Sequence, residues 1–363
     1  MIGSSTMHLR GVRLRALLGG LGLVIAAACN GSGDGVGPNS QALLPADTTA
    51  KTDTGSTAGT PTDTATTPTD SSFTPLPGDS TGISTSVAAI DNRSGLPGIV
   101  FAVDNIPTDL LNSVYTGSKR GGGIDPNNVL SLLSQARSRG ARIVLKMSMG
   151  ADEYIQNSDG TFSLTKWKSL VDRFKSVNLG PYISDGTLIG HFIIDEPHRA
   201  SKWGGKVIPQ ATVEAMALYS KQIWPTLNTF VHTQMSYLAS SPVTFTNLDA
   251  GYIQYAANKG DVTSWVTGEI SKAKSKGLGI FVGLNAINGG NGSSGIRGTS
   301  SGNYSMSAKE LTNYGTVLLN QTYDCGFVVW GYNSTYLGRS DVKSALSGLS
   351  SKAKTHAKTA CRQ

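Results

Sequence analysis

Leu188-Ile189-Gly190-His191-Phe192-Ile193-Ile194-Asp195 is apolar along nearly its whole length, so neither of its faces is made for water. A strand of that kind belongs in a sheet covered on both sides, as parallel strands beneath helices are. Six further runs share the character, at 98–104, 142–149, 229–235, 251–255, 279–285 and 325–332. Amphipathic helices separate them. Asp125-Pro126 offers a cap and a first-turn proline ahead of Val129, Leu132, Leu133 and Ala136. Ser163 caps a stripe of Leu164, Trp167, Leu170, Val171 and Phe174. Ser307 and Glu310 form a capping box before Leu311, Tyr314 and Leu318, and Asp261 starts another helix.

Seven strands are explicit, and the eighth is expected in the 113–117 region unless one strand is irregular. Repeated strand–helix units over about 255 residues fit one α/β domain, a (β/α)8 TIM barrel, better than an open doubly wound sheet. Asp104-Asn105-Ile106-Pro107 follows the first strand where a dinucleotide fold would place a glycine-rich phosphate-binding turn.

The chain has 363 residues, but 30–85 is almost wholly Gly, Ser, Thr, Pro, Asp and Ala. Such a segment cannot bury enough apolar surface to offset the entropy of ordering, which leaves about 265 residues for one folded unit. Beyond the N-terminus no apolar run is long enough to span a bilayer, and three cysteines are too few for a disulfide scaffold.

Arg10, Arg13 and Arg15 precede an apolar stretch at 16–28, a secretory signal in outline. It ends Ile25-Ala26-Ala27-Ala28-Cys29, which resembles a bacterial lipobox, with Ala26 where Leu is usual. The resemblance implies lipidation of Cys29; an ordinary secretory signal is the alternative. Asn30, in place of an inner-membrane-retaining Asp, implies outer-membrane anchoring by the same resemblance. The expected division is a lipoprotein signal at 1–28, a disordered tether at 29–90, the barrel at 91–355 and a basic tail at 356–363. The protein would then be lipid-anchored to the cell envelope, facing the periplasm or the exterior.

Whole-chain charge is +7; without the three signal arginines it is +4, and the tether, with six Asp against Lys51, carries −5, so the remainder stands at +9. A solvated basic face accounts for that excess, part of it the tail Lys352, Lys354, Lys358 and Arg362; acidic glycans or phosphate surfaces are the alternative partners. No nucleic-acid motif accompanies the charge. With Cys29 lipidated, Cys325 opens the last strand and Cys361 follows the final helix, which brings both to the N-terminal end of the barrel. A disulfide is expected there, two unpaired thiols being the other possibility.

In such a barrel chemistry sits at the C-terminal ends of the strands. Those ends supply Asp104 and Asn105; Lys146 and Ser148; Asp195, Glu196 and His198; His232 and Gln234; Gln254 and Tyr255; Asn285 and Asn288; and Trp330, Tyr332 and Asn333. Carboxylates, amides and aromatics together suit hydroxyl-rich ligands, since rings stack on sugars while amides and carboxylates bind hydroxyls. His191, mid-strand, is read as a core histidine. No His-x-His or His-Glu-x-x-His spacing supports a metal, and no cofactor is expected. The segment 289–303 is either a mobile flap or a surface loop.

Asp195-Glu196-Pro197 at the end of its strand resembles the barrel glycoside hydrolases in which Asn-Glu-Pro ends the fourth strand and the Glu is the general acid/base. The resemblance implies that role for Glu196, with Asp195 replacing the usual Asn and orienting Glu196 or binding a hydroxyl. The strand Phe327-Val328-Val329-Trp330 similarly resembles the last strand of that clan, whose Trp floors the sugar subsite. Retaining members carry a nucleophilic Glu after the seventh strand, where this chain has Asn285 and no carboxylate. Either another acid serves, with Asp104, Asp152, Glu153 and Asp249 as candidates and Asp104 preferred, or the chain does not use double displacement; an inverting mechanism needs only an acid and a more distant base. Trp330, Tyr332, Tyr255, Gln234, His232 and Asn285 would bind a polysaccharide or oligosaccharide in a monomeric protein. A non-catalytic glycan-binding or structural surface lipoprotein on a degenerate barrel is the alternative.

Overall fold

The computed structural model describes residues 97–148, 150–357 and 361. The signal at 1–28, Cys29, the tether expected over 29–90, and Lys358 and Arg362 of the tail lie outside them. Among the described residues eight parallel strands close into a barrel in chain order, β1 Val100–Val103, β2 Gly117–Arg120, β3 Arg142–Leu145, β4 Leu188–Asp195, β5 Asn228–His232, β6 Ala250–Tyr255, β7 Gly279–Leu284 and β8 Asp324–Val329. β8 pairs back onto β1, Val100 with Gly326 through Val103 with Val329, so the sheet has no edge. This is the (β/α)8 barrel expected.

The eighth strand is the polar Gly-Ser-Lys-Arg of β2, which begins at Gly117, the last residue of the 113–117 region, and runs on to Arg120. It follows β3 in continuous register from Gly117 with Arg142 to Arg120 with Leu145, held by its neighbours and not by its own hydropathy. The helices lie outside the strands, α1 Val129–Ser138, α2 Leu164–Asp172, α3 Gly180–Ser184, α4 Gln210–Ile223, α5 Met235–Ala239, α6 Val262–Lys274, α7 Ala308–Leu319, α8 Ser334–Gly338 and α9 Ser340–Thr355. Ser163 and Asp261 cap α2 and α6, and α7 carries the Ser307–Glu310 capping box. α1 differs from expectation: Asp125 Oδ1 accepts from the amides of Asn127 and Asn128, closing a turn, and the helix begins only at Val129.

Two apolar layers follow from strand alternation. Outward side chains such as Phe101, Ile143, Ile253 and Val282 pack beneath the helices. Inward ones, Val100, Ala102, Val144, Phe192, Phe230, Tyr252, Phe281 and Val328, fill the barrel. Gly190 is required there, because a Cβ would collide with the Phe230 ring. In β4 the pairing with β5 slips between Phe192 and Ile194, and Ile193 and Ile194 both join the outer layer. That bulge reverses the alternation and turns Asp195 inward.

Cys361 lies at the opposite end of the barrel. Cys361 is buried in the inner layer and disulfide-bonded to Cys325, with Cα atoms 5.1 Å apart across 36 residues. A bridge of that span contributes about 4 kcal/mol in the loop-entropy model. The carbonyl of Cys361 occupies the space a Cβ of Gly279 would need. Cys361 is thus part of the barrel packing although it lies in the segment set apart as a tail.

Next to the disulfide, Asp324 is fully buried and neither carboxylate oxygen has a hydrogen-bond partner among the described residues. Burial pushes its pKa well above the usual carboxylate range. Its folded value thus exceeds its unfolded one, so its stability cost is absent below about pH 4 and grows as pH rises, by up to about 1.4 kcal/mol per unit. Asp324→Asn is expected to be more stable than wild type at pH 7 and to lose that advantage near pH 4, as measured by urea unfolding. Parallel pH curves for the two proteins would contradict this.

Candidate active site at the C-terminal mouth of the barrel

The alternation that fills the barrel also builds its mouth. Continuing each inward row one step brings Asp104 after Val100 and Ala102, Lys146 after Val144, His232 after Phe230, and Gln254 after Tyr252. Lys119 of β2 joins them, its Nζ 3.0 Å from Asp104 Oδ1 and 4.5 Å from the centre of the Phe192 ring. The β4 bulge adds Asp195.

The loop after β4 folds back over this ring. Trp203 Nε1 donates to the carbonyl of Glu196 at 3.0 Å and is wholly buried, which fixes the turn that returns Lys202 to the mouth. Lys202 Nζ lies 2.9 Å from Asp152 Oδ2, pairs with Asp195 Oδ2 and stands 3.8 Å from Glu196 Oε2. Lys146 holds the other oxygen of Asp152 at 2.9 Å, and Arg199 meets Glu196 Oε2 at 2.7 Å. Asp195 Oδ1 is 2.7 Å from His232 Nδ1, whose ring lies 4.8 Å from that of Tyr252. Gln254 Nε2 donates to the Tyr252 hydroxyl at 2.6 Å. A polar network therefore crosses the mouth from β3 to β6 around Lys202.

The electrostatics follow from that network. The surrounding protein disfavours charge on Asp195, but Lys202 and the hydrogen bond from His232 outweigh this and hold its pKa well below the ordinary range. Burial likewise works against Lys202, yet Asp195 and Asp152 raise its pKa. Tyr252 is pushed well above its usual value by burial and by the charges of Asp104 and Asp195. His198, hydrogen-bonded to Thr233 Oγ1 at 2.8 Å, is pushed down to about 4 by burial. His191 is a core residue, bonded to Ser220 Oγ, stacked on Trp167 and pushed down to about 3 by burial.

Glu196, which follows the inward Asp195, has a left-handed backbone at φ 49° that a non-glycine residue adopts only under constraint. Its amide donates to the carbonyl of His232 at 2.8 Å, so the two residues sit side by side. Asp104, Asp195 and His232 take part in these pairings, whereas Asn285, Trp330 and Tyr332 follow the C-terminal ends of β7 and β8; Trp330 and Tyr332 pack against the outer apolar layer, and Asn285 Oδ1 accepts from the amide of Asn288. Gln234 is an exposed residue at the start of α5.

Tyr255 does not line the mouth. It is one position out of phase with Tyr252 and Gln254, and its ring packs outside the barrel against Trp265 and Tyr314 at 5.3 and 4.9 Å. Asp249 precedes β6 at the other end of the barrel, paired with Lys221, and Glu153 is exposed. The 289–303 segment is pinned across the surface: Asn288 Oδ1 accepts from Thr299 and Ser300, and Glu310 from Asn291 and Ser293. Lys119, Lys202 and Arg199 were not anticipated; for Lys119 the signal was two paired cations in a short polar strand, and for the loop residues there was none.

No family model matches this sequence, and no curated protein matches it. Among solved structures it is similar to a β-D-glucuronidase of Dictyoglomus thermophilum, at 10% identity and TM-score 0.44 over 71% of this chain and 51% of the other. The chain thus spans about half the length of that enzyme. A xylanase of Cellvibrio japonicus in complex with xylopentaose is 12% identical, TM-score 0.47, over 74% and 69%. A β-1,4-mannanase is 10% identical, TM-score 0.45, over 70% and 98%. These neighbours are glycoside hydrolases, and what the chain shares with them is the (β/α)8 barrel.

Proposed function

We propose that the protein is a glycoside hydrolase acting on an extracellular or cell-wall polysaccharide, with Glu196 as the acid that protonates the leaving oxygen. The observation that carries the reading is the gathering of Asp152, Asp195 and Glu196 around one ammonium group at the mouth. Asp195 is already committed as an anion, which leaves the proton-donating role to its neighbour. Trp330 and Tyr332 offer aromatic faces for a sugar ring. Cys29 would anchor the protein to the outer membrane and the 29–90 segment would hold the barrel away from it, a reading supported by the residues of the signal alone.

One observation favours a second reading. Asp104, Asp152, Asp195 and Glu196 each have a cationic partner, an arrangement also suited to binding a glycan without cleaving it. A panel of polysaccharides incubated with the protein and analysed by mass spectrometry separates the two. Release of oligosaccharides is expected. Retention of a glycan by the folded protein with no release from any member would support the binding module instead.

A further inference from the structure

The mouth lacks a carboxylate after β7, where Asn285 stands, and its other acids are occupied: Asp104 by Lys119, and Asp152 by Lys146 and Lys202. Asp195 and His232 are differently arranged. They are register partners on β4 and β5, with Oδ1 and Nδ1 2.7 Å apart, while Lys202 fixes the second oxygen of Asp195. We infer that His232 is the water-activating base of this site and Asp195 its positioning residue, an inference that rests on the proposed glycan cleavage.

Lys202 on one oxygen and His232 on the other hold Asp195 as an anion, which can only accept, so the hydrogen in the 2.7 Å contact belongs to Nδ1. In the neutral ring the lone pair then resides on Nε2, to which no described residue donates. Inward alternation after Phe230 puts this ring at the mouth, and the backbone bond from Glu196 to His232 sets acid and base on adjoining strand ends. Asp195 thus selects the tautomer and the ring orientation, as the carboxylate does in other Asp–His pairs.

In the step this implies, Nε2 takes a proton from water as the water oxygen bonds to the anomeric carbon. The glycosidic C–O bond breaks, and its electron pair takes the proton of Glu196. His232 then gives up its proton to solvent, and Glu196 recovers one. Attack from the face opposite the leaving group inverts the anomeric configuration.

The test uses the protein and the glycan it cleaves. Proton NMR of the first product is expected to show inversion. His232→Ala is expected to lower kcat by about 10² to 10⁴ with KM little changed, and azide is expected to restore part of the rate by forming an inverted glycosyl azide. Asp195→Asn can donate to Nδ1 and so stabilise the wrong tautomer; kcat is expected to fall while KM holds. Retention of configuration, or an unchanged kcat in His232→Ala, would overturn the inference while leaving glycan cleavage intact. Failure of the wild type to release product from any glycan would overturn both.

Discussion

Lys202→Met is expected to lower both the stability of the barrel and any activity at its mouth, more than any other single change in the charged network. The substitution preserves much of the side chain's length and apolar stem but leaves Asp152, Asp195 and Glu196 without their shared cation. Breaking a buried ion pair costs about 3 to 5 kcal/mol. Asp195 keeps 32% of its side chain exposed, so solvent screening brings the expected loss to roughly 2 kcal/mol. For a domain of this size that corresponds to a fall of about 4 to 8 °C in Tm.

The pH dependence has a definite sign. The folded pKa of Asp195 is depressed, so its contribution is present above about pH 4 and is lost as pH falls through the folded value. The difference between wild type and Lys202→Met should therefore be largest at neutral pH and shrink on acidification below pH 4. Product release should fall by roughly 10²-fold, since the three carboxylates would no longer share one geometry. Thermal unfolding across pH, with rates on the same samples, checks both statements; equal Tm values at pH 7 would contradict the role given to Lys202.

How far the molecule was legible before its coordinates depended on whether each feature leaves a local trace. Seven strands did, because a sheet covered on both faces must be apolar on both. β2 did not, since its Gly-Ser-Lys-Arg is carried by register with β3 and turns Lys119 toward Asp104. Tyr255 ends a strand and so reads as a mouth residue, but the inward phase of Ala250 and Tyr252 turns it toward the helices. The β4 bulge was invisible in a run of Phe192, Ile193 and Ile194, where either phase looks equally apolar. Regular alternation from Phe192 would have turned Glu196 inward, whereas the bulge turns Asp195 inward and leaves Glu196 strained at the rim. Lys202 reaches the site only because the loop beyond Glu196 folds back beneath Trp203, a long-range consequence that no spacing announces.

Whether Glu196 protonates the glycosidic oxygen is decided by product release from wild type and Glu196→Gln, side by side on the same polysaccharide. Gln keeps the size of the side chain and an oxygen for Arg199 to meet, so the fold and the glycan affinity should survive. It has no proton to give. A general acid contributes about 10² to 10⁴ to the rate, so a loss of that order in kcat is expected with KM little changed. Release from Glu196→Gln at the wild-type rate would contradict it.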